Sequence, residues 1–416
     1  MLNIPQITLL SKNRNMFWAF AGMLISRLGD GVYSVAVIAL AYGITQSGAG
    51  TGIVLAAFAL SSFLFGSLSG VASDRWNRKM LLVSSSLLCS SVVITMAVLS
   101  YSGILNVTSL TILSFLLGAA TQFFEPIVNA LIPRFVTKGE LTTANATIGM
   151  TDSLGYIAGP AAAAVLLAWL PIEIVLLINA ASFLFASLAA CFLHIPQIPK
   201  TEKKQTSVFT EAVEGFTFVY QTKRIRQLFI ISCLSLLAYS PFFVLLPLFL
   251  DQDLLLSAER QSAVIGMIYS SLALGQLAGY AVVSYLRFST FKLLGIGYLL
   301  QAIGFGCLIF VHEELWIVFF IFIAGISFGL TGSAFHTNLQ SNTPDDRLGR
   351  VYGVNYTVSG LIAPIGRSGS GILADALGTK VMFSGMTFLF LVSSAMSFWQ
   401  TKGKAAAQEE NNHLPM

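Results

Sequence analysis

The sequence has little charge, few cysteines and no nucleotide-binding loop, and each deficit argues against a class of protein. Only 10% of the 416 residues are charged, 55% are hydrophobic, and the mean hydropathy is +0.78. Soluble domains carry roughly a quarter charged residues, so we expect neither a soluble enzyme, a nucleic-acid binder nor a disordered scaffold. The chain also lacks a GxxxxGK[ST] loop, so ATP is not expected to drive it directly. The few cysteines lie in apolar runs without paired spacing, which predicts neither a disulfide framework nor a metal site; they are Cys89, Cys191, Cys233 and Cys307.

Long apolar stretches predict membrane-spanning helices. Roughly 20 helical residues cross the hydrocarbon core of a bilayer, so each long apolar run indicates one span. Twelve such runs are present, at 15–44, 51–73, 79–101, 107–133, 142–168, 172–194, 226–250, 261–286, 291–311, 315–340, 350–374 and 379–400. The sequence therefore predicts an all-α integral membrane protein with 12 transmembrane helices, numbered here as spans 1 to 12.

The basic residues predict the orientation of the chain. Most of the 23 lysines and arginines fall in loops on one side of the predicted spans, whereas only Arg260 and Lys380 fall on the other. Loops rich in lysine and arginine stay in the cytoplasm. We therefore expect a multi-pass protein of the cell (plasma) membrane with both termini in the cytoplasm.

A long polar segment divides the spans six and six. Within it, apolar residues recur at three- and four-residue spacing, which predicts an amphipathic helix along the membrane interface. Glycine pairs at matching places in the two halves, Gly66 with Gly70 and Gly275 with Gly279, favour duplicated bundles. The predicted domains are an N-terminal six-helix bundle at 1–194, a cytoplasmic linker with an amphipathic helix at 195–225, a C-terminal six-helix bundle at 226–401 and a cytoplasmic tail at 402–416.

The loop between spans 2 and 3 carries the sharpest local motif. It reads Gly70-Val-Ala-Ser-Asp74-Arg75-Trp-Asn-Arg78-Lys79. A glycine allows close helix packing, and an acid with three bases at a helix end can pair across a closing seam or cap a neighbouring helix dipole. The run resembles the signature loop of the major facilitator superfamily, and the resemblance implies the major facilitator fold of two pseudo-symmetric six-helix bundles. The alternative is a basic cluster that only fixes topology.

Within that superfamily the chain resembles the 12-helix drug:proton antiporters of the macrolide-efflux-like branch. Span 5 carries Gly155, Gly159 and Pro160, similar to the glycine-proline motif of that group. Small residues there would let spans 5 and 8 approach closely, and the proline frees one carbonyl. Further resemblances lie at 26–30 in span 1 and at 344–350 before span 11. The chain departs from the group in span 4, where the arginine of many drug antiporters would fall at Ser114, so a mechanism using that arginine is not carried over.

Five charged residues fall inside the predicted spans: Arg27, Asp30, Glu125, Asp152 and Arg367. A charge in the bilayer is costly and marks a functional candidate by default. Low-dielectric surroundings favour the neutral form of a carboxyl group, so the three acids are candidates for proton exchange or cation binding. The two arginines are their candidate charge partners within the membrane.

Each of these residues also has a purely structural interpretation. Arg27 and Asp30 are three residues apart on one helix face and would neutralise each other. Asp152 would instead form a hydrogen bond between helices. Glu125, when protonated, would cap the carbonyl region freed by the neighbouring proline, and Arg367 would pair with an acid across the two halves.

These observations favour a secondary active transporter that exports small amphipathic compounds, of the drug or antibiotic type, by proton-coupled alternating access. We expect no enzymatic activity, no cofactor beyond the proton gradient as energy source, no metal and no nucleic acid. The expected partners are the lipid bilayer, a small-molecule substrate and protons, and the expected state is a monomer. The alternative is a dedicated metabolite or siderophore exporter, or a nutrient symporter, of the same fold. A remoter alternative is a non-transporting membrane sensor or assembly subunit, which would tolerate changes at Asp74.

Overall fold

The computed structural model describes residues 4–195 and 207–412, and these residues are largely helical. Their α-helices are α1 (Pro5–Lys12), α2 (Arg14–Thr45), α3 (Gly48–Arg75), α4 (Arg78–Tyr101), α5 (Val107–Thr121), α6 (Phe124–Phe135), α7 (Leu141–Trp169), α8 (Ile172–Phe192), α9 (Val208–Gln221), α10 (Lys223–Tyr239), α11 (Phe242–Gln252), α12 (Ala258–Val283), α13 (Thr290–Gly306), α14 (Glu314–Asn342), α15 (Leu348–Leu377) and α16 (Thr379–Asn412). Two short 3-10 helices, Lys138–Glu140 and Cys307–Ile309, lie between them. Each predicted span coincides with one of these helices or with a consecutive pair.

In the part of the chain that the structure describes, 11 segments are long and apolar enough to cross a membrane. The remaining predicted span, span 11, corresponds to α15, which has 30 residues. That helix is long enough to cross, but glycines and polar residues such as Arg350 and Arg367 lower its mean hydropathy. Length therefore identifies span 11 where hydropathy does not.

Spans 4 and 7, predicted as single helices, are each broken in two. Span 4 consists of α5 and α6, and span 7 of α10 and α11. A proline lies near each break: Pro126 follows the break in span 4, and Pro241 lies within the break in span 7. Because proline has no amide hydrogen, the carbonyl four residues earlier loses its helical partner. The break in span 4 places Glu125 in the first turn of α6, where the positive end of the helix dipole favours an acid.

Short polar side chains fix several helix starts. The Oδ1 atom of Asn13 accepts a hydrogen bond from the backbone of Met16 and caps α2. Asn77 caps α4 in the same way by accepting from the backbone amides of Lys79 and Met80. Such caps satisfy amide groups that have no partner within the helix.

The chain forms two compact units. The first comprises Met1–Lys223 with Thr343–Gly360, and the second comprises Arg224–Asn342 with Leu361–Met416. In the first unit α2 packs on α7 and α8, α4 packs on α8, and α3 packs on α5; in the second, α14 packs on α12 and α13, and α13 packs on α16. The segment Thr343–Gly360 belongs to the first unit although it follows span 10 in sequence. The predicted domain boundaries themselves stay a prediction.

The predicted amphipathic helix of the linker corresponds to α9, while residues 196–206 of the linker lie outside the described residues. Its apolar side chains Val213, Phe216 and Tyr220 are exposed, whereas Glu211 and Val219 are buried. The face of α9 that carries Glu211 and Val219 therefore packs on the protein, whereas the face that carries Val213, Phe216 and Tyr220 does not. Its predicted position along the membrane interface stays a prediction. The predicted tail at 402–416 continues α16 as far as Asn412, and its last four residues lie outside the described part.

Candidate functional site

Helices α2 and α7 approach each other so closely that glycine is required at their crossing. A Cβ atom added at Gly31 would lie 2.7 Å from Cα of Gly159 and 2.8 Å from the carbonyl oxygen of Gly155. A Cβ atom at Gly155 would lie 2.9 Å from Cβ of Arg27. The glycines of the span 5 motif thus admit the backbone of span 1, a contact that the sequence did not predict. Pro160, the last residue of that motif, is exposed on α7.

This crossing positions Arg27 between two acids from other helices. Its Nη2 atom lies 2.6 Å from Oε2 of Glu125 on α6, and its Nε atom lies 2.7 Å from Oδ1 of Asp152 on α7. All three side chains are about one-third exposed. One guanidinium therefore joins three helices through two charge-assisted hydrogen bonds, which are stronger than neutral ones.

Asp30, one turn further along α2, is left without such a partner. Among the described residues it forms no ion pair and no hydrogen bond, and its side chain lines a cavity. The pairing of Arg27 with Asp30, one of the two interpretations of the sequence, is therefore not what the structure shows. With all four groups ionised, one arginine faces three carboxylates, which leaves a net charge of −2 at this place.

The cavity beside these charges has a volume of about 590 Å³ and lies within the first unit. Its lining includes charged Arg27, Asp30 and Glu125; hydroxyl-bearing Ser26, Ser34, Ser85, Ser86, Ser114, Thr121 and Ser359; and aromatic Tyr33, Phe58, Phe124, Tyr156, Phe183 and Tyr356, beside several aliphatic side chains. A mostly apolar cavity of this size with a few convergent polar groups is typical of a small-molecule site. Its single unpaired carboxylate, Asp30, suits a cationic group.

The start of α15 completes one wall of the cavity. Tyr356, Ser359 and Gly360 line it, and Nδ2 of Asn129 on α6 donates a hydrogen bond of 3.0 Å to the Tyr356 hydroxyl. Asn129 therefore anchors this wall one turn after Glu125. Neither Asn129 nor Tyr356 was singled out from the sequence, because nothing in the local pattern of span 11 indicates a partner on span 4.

A second cluster of charges centres on Asp74, at the end of α3. The Asp74 carboxylate, whose side chain is 2% exposed, accepts hydrogen bonds from the backbone amides of Gly349 (3.1 Å) and Arg350 (3.0 Å). These amides belong to the first turn of α15, so the carboxylate meets the positive end of that helix dipole. Asp74 also lies 3.3 Å from Nη2 of Arg78. The predicted role of this motif in capping a neighbouring helix thus has a geometric basis.

Arg78 extends the Asp74 cluster toward span 4. It is buried and donates to the carbonyl oxygens of Ser73 (3.0 Å) and Ala130 (3.1 Å). Its Nη1 atom lies 3.8 Å from Oδ1 of Asp345, which forms a closer pair with Arg134 (Nη2 to Oδ2, 2.7 Å). The sequence did not predict the ion pair of Asp345 with Arg134, although the run 344–350, which contains Asp345, resembles the family.

The remaining bases of the loop motif bind elsewhere. Arg75 pairs with Glu211 of α9 at 3.0 Å, and Oε2 of the same glutamate forms a second ion pair with Nη2 of Arg350, also at 3.0 Å. Arg350 further binds Glu214 at 2.7 Å. Lys79 instead donates hydrogen bonds to carbonyl oxygens at the end of α8, where the negative end of the helix dipole stabilises a cation.

Gly70 allows the contact on which the Asp74 cluster depends. A Cβ atom at Gly70 would contact the carbonyl oxygen of Gly349 and lie 2.9 Å from Cα of Gly353. A Cβ atom added at Gly66, one turn earlier, would likewise lie 3.0 Å from the hydroxyl oxygen of Thr357. The glycine row of α3 therefore admits the first three turns of α15.

Arg367, the fifth intramembrane charge, lies in the second unit, whereas the other four belong to the first. Its guanidinium stands over the ring of Phe243, 4.9 Å from the ring centroid. Within the described part of that unit it has no acidic partner. As for metals, the described residues contain no group of three or more histidines, cysteines or carboxylates placed to hold an ion.

Comparison with known proteins identifies what this arrangement resembles. A family model described as Major Facilitator Superfamily matches residues 19–366 and 228–415. Macrolide efflux protein A of Streptococcus pyogenes is 24% identical over 376 residues, covering 88% of this chain and 90% of the relative. Multidrug efflux pump Tap of Mycolicibacterium fortuitum is 25% identical over 385 residues (89% and 91%), and the Enterobactin exporter EntS of Salmonella typhi 25% over 404 residues (92% and 93%). The crystal structure of the human organic anion transporter MFSD10 (TETRAN) superposes with a TM-score of 0.77 at 16% identity, covering 92% of this chain and 99% of that one.

Proposed function

The chain belongs to the Major Facilitator Superfamily, and from that premise we propose that it exports small amphipathic compounds of the drug or antibiotic type in exchange for protons. Relatives named as a macrolide efflux protein and a multidrug efflux pump, each matched over most of both chains, support the direction and the class of cargo. The multi-pass protein is proposed to lie in the plasma membrane with both termini in the cytoplasm and to work as a monomer. The proton gradient is its proposed energy source.

The observation that carries this proposal is the unpaired carboxylate of Asp30 in the cavity wall. Arg27 is already engaged by Glu125 and Asp152, so Asp30 is the acid with capacity for a new partner. A proton and a cationic cargo cannot both occupy one carboxylate. Competition at Asp30 therefore links the release of one to the binding of the other, which is the linkage an antiporter requires.

Glu125 and Asp152 are assigned a supporting role in this scheme. They hold Arg27 at the crossing of α2 with α6 and α7, and a proton on either acid would release one of the two ion pairs. Protonation would thereby change the contacts between spans 1, 4 and 5. We propose that these acids bias the conformation, while Asp30 contacts the cargo.

The Asp74 cluster is the proposed conformational latch. Its ion pairs and its contact with the first turn of α15 join loop 2–3 to a segment that follows span 10. Alternating access requires a contact that forms in one state and opens in the other. Because the charges of this cluster are buried and paired, we propose that the cluster forms only in the state in which these two segments meet. Opening then breaks those particular pairs.

Transport by everted membrane vesicles tests the proposal. With the vesicle lumen acidified, the wild-type protein is expected to accumulate ethidium, a lipophilic aromatic cation, and collapse of the proton gradient should stop accumulation. Asp30→Asn should abolish it. The matched control is Asp251→Asn, because Asp251 is an exposed acid at the end of α11 that is bound by Gln261 and is not one of the residues lining the cavity. Gradient-dependent uptake retained by Asp30→Asn would remove Asp30 from the coupling role.

A dedicated exporter of one metabolite or siderophore is the second candidate, supported by the similarity to the Enterobactin exporter EntS. It predicts that cells overexpressing the protein show unchanged susceptibility across a panel of lipophilic cations. The drug-efflux proposal predicts raised resistance to several members of the panel, lost in Asp30→Asn.

A further inference from the structure

Arg367 is a charged side chain within a membrane-spanning helix. Ten residues separate it from the end of α15 at Leu377, which corresponds to about 15 Å along the helix axis. Predicted span 11 ends at 374, seven residues beyond Arg367, so the side chain starts inside a hydrocarbon core of roughly 30 Å but nearer its outer surface than its middle. The side chain is nevertheless exposed. An accessible cation at this depth is a functional candidate.

The immediate surroundings of Arg367 are aromatic. Phe243, over which the guanidinium stands, lies 5.2 Å from the ring of Tyr239 and 6.0 Å from that of Tyr269. Tyr239 in turn lies 4.5 Å from Phe328. These four rings are only half-buried, so they form an aromatic wall with accessible faces beside the charge.

The broken span 7 adds a second positive element at the same place. Helix α11 starts at Phe242, in mid-span, with Phe243 as its second residue. The start of a helix carries unpaired amide groups and the positive end of the dipole. Half-helices that begin at mid-membrane are a recurrent way of binding anionic groups in transporters.

The residue at the break carries an unsatisfied polar group. Ser240 is 1% exposed, and its hydroxyl has no hydrogen-bond partner among the described residues. The Oγ atom lies against Gly366, directly before Arg367, so that a Cβ atom at Gly366 would collide with it. A buried hydroxyl without a partner is costly unless a ligand or water completes it. Ser240, two residues before the start of α11, thus places an unsatisfied hydroxyl against the residue that precedes Arg367.

We propose that the second unit contains a binding site for an aryl group that bears a carboxylate or similar compact anion. The anion would lie between Arg367 and the start of α11, and the aryl ring would pack on Phe243 and Tyr269. The site rests on the proposed export function, to which it adds a cargo class: aromatic anions and zwitterions beside the cations that suit Asp30.

Three probes with the same aromatic body and different charge test the site: 2-naphthoate, 2-naphthylmethylammonium and the neutral 2-naphthalenemethanol. Their binding to the purified full-length protein in detergent is measured by equilibrium dialysis. Arg367→Gln should weaken 2-naphthoate by about tenfold or more, because a charge-assisted contact is lost. It should not weaken the ammonium probe, because loss of the guanidinium removes a repulsion between like charges. Arg367→Lys should recover part of the loss, since lysine keeps the charge without the planar fork.

Two further variants separate the charge from the ring. Phe243→Leu should weaken all three probes alike, because ring packing is independent of their charge. Arg260→Gln is the matched control, an arginine of the same unit that pairs with Glu314 on the surface, and it should change none. The thermal unfolding midpoint of each variant checks its fold.

Equal affinity of wild type and Arg367→Gln for 2-naphthoate would overturn the site, and so would an equal loss of all three probes in that variant. Failure of the export function would be seen separately, as absent ethidium accumulation in vesicles. Intact discrimination of 2-naphthoate by Arg367 together with absent ethidium transport would keep the site and reject the proposed drug export.

Discussion

Replacing Gly31 by alanine is expected to separate spans 1 and 5 and to break one ion pair of Arg27. The added Cβ atom would lie 2.7 Å from Cα of Gly159 and 2.8 Å from the carbonyl oxygen of Gly155. Carbon atoms reach their best separation at about 3.5–4.0 Å, so the two backbones must part by about 1 Å. Both neighbours are backbone atoms and no side chain can turn aside. Overpacking of this kind costs about 1–3 kcal/mol.

The displacement has a specific consequence for the charges. The Arg27–Asp152 contact joins α2 to α7 and measures 2.7 Å, so parting those helices takes it beyond hydrogen-bond range. The Arg27–Glu125 contact joins α2 to α6 and should survive. Gly31→Ala should therefore lower stability and impair proton-driven ethidium uptake together.

Gly43→Ala in the same helix is the matched control. Nothing lies within 4 Å of a Cβ atom at Gly43, so the change should cost no stability and can add up to about 1 kcal/mol through helix propensity. Thermal unfolding in detergent and vesicle transport measure both variants. If Gly31→Ala unfolds at the same temperature as Gly43→Ala and transports normally, the backbones of α2 and α7 do not lie in direct contact at Gly31.

Three other changes test the remaining charges. Asp74→Asn should lower the free energy of unfolding by about 2–4 kcal/mol, because it leaves the buried Arg78 short of a counter-charge. An unchanged denaturation midpoint would show that Asp74 and Arg78 do not form a buried ion pair. Glu211→Gln should free α9 from Arg75, so limited proteolysis should cut the linker faster than in the wild type, and equal rates would contradict the contact. Arg260→Gln removes an exposed ion pair and should leave the unfolding temperature unchanged, as surface pairs contribute little.

Much of the fold was predictable because membrane spans are set by length and hydropathy. The fold class and the superfamily resemblance are confirmed by the family match and by the structural similarity. The breaks in spans 4 and 7 were not predicted, although Pro126 and Pro241 mark both. A proline in a hydrophobic run signals a bend or a break equally well, and only packing decides between them.

The charged candidates of the site could be named from the sequence, but their pairings and their uncharged neighbours could not. Spacing on one helix suggested Arg27 with Asp30, yet the long arginine side chain reaches acids on two other helices. Asp345 was missed as a partner of Arg134 because 211 residues separate them. Spacing rules describe neighbours within a helix, whereas contacts between distant segments depend on how the helices are arranged.

The segment 343–360 has a consequence for how the protein is made. Asp74, Arg134 and the glycines of α3 complete their contacts only with this segment, which leaves the ribosome after most of the chain has been synthesised. Until then the first unit carries buried charges without their counterparts. An amino-terminal fragment expressed alone would meet the same deficit, whereas co-expression with the missing carboxy-terminal piece would supply it.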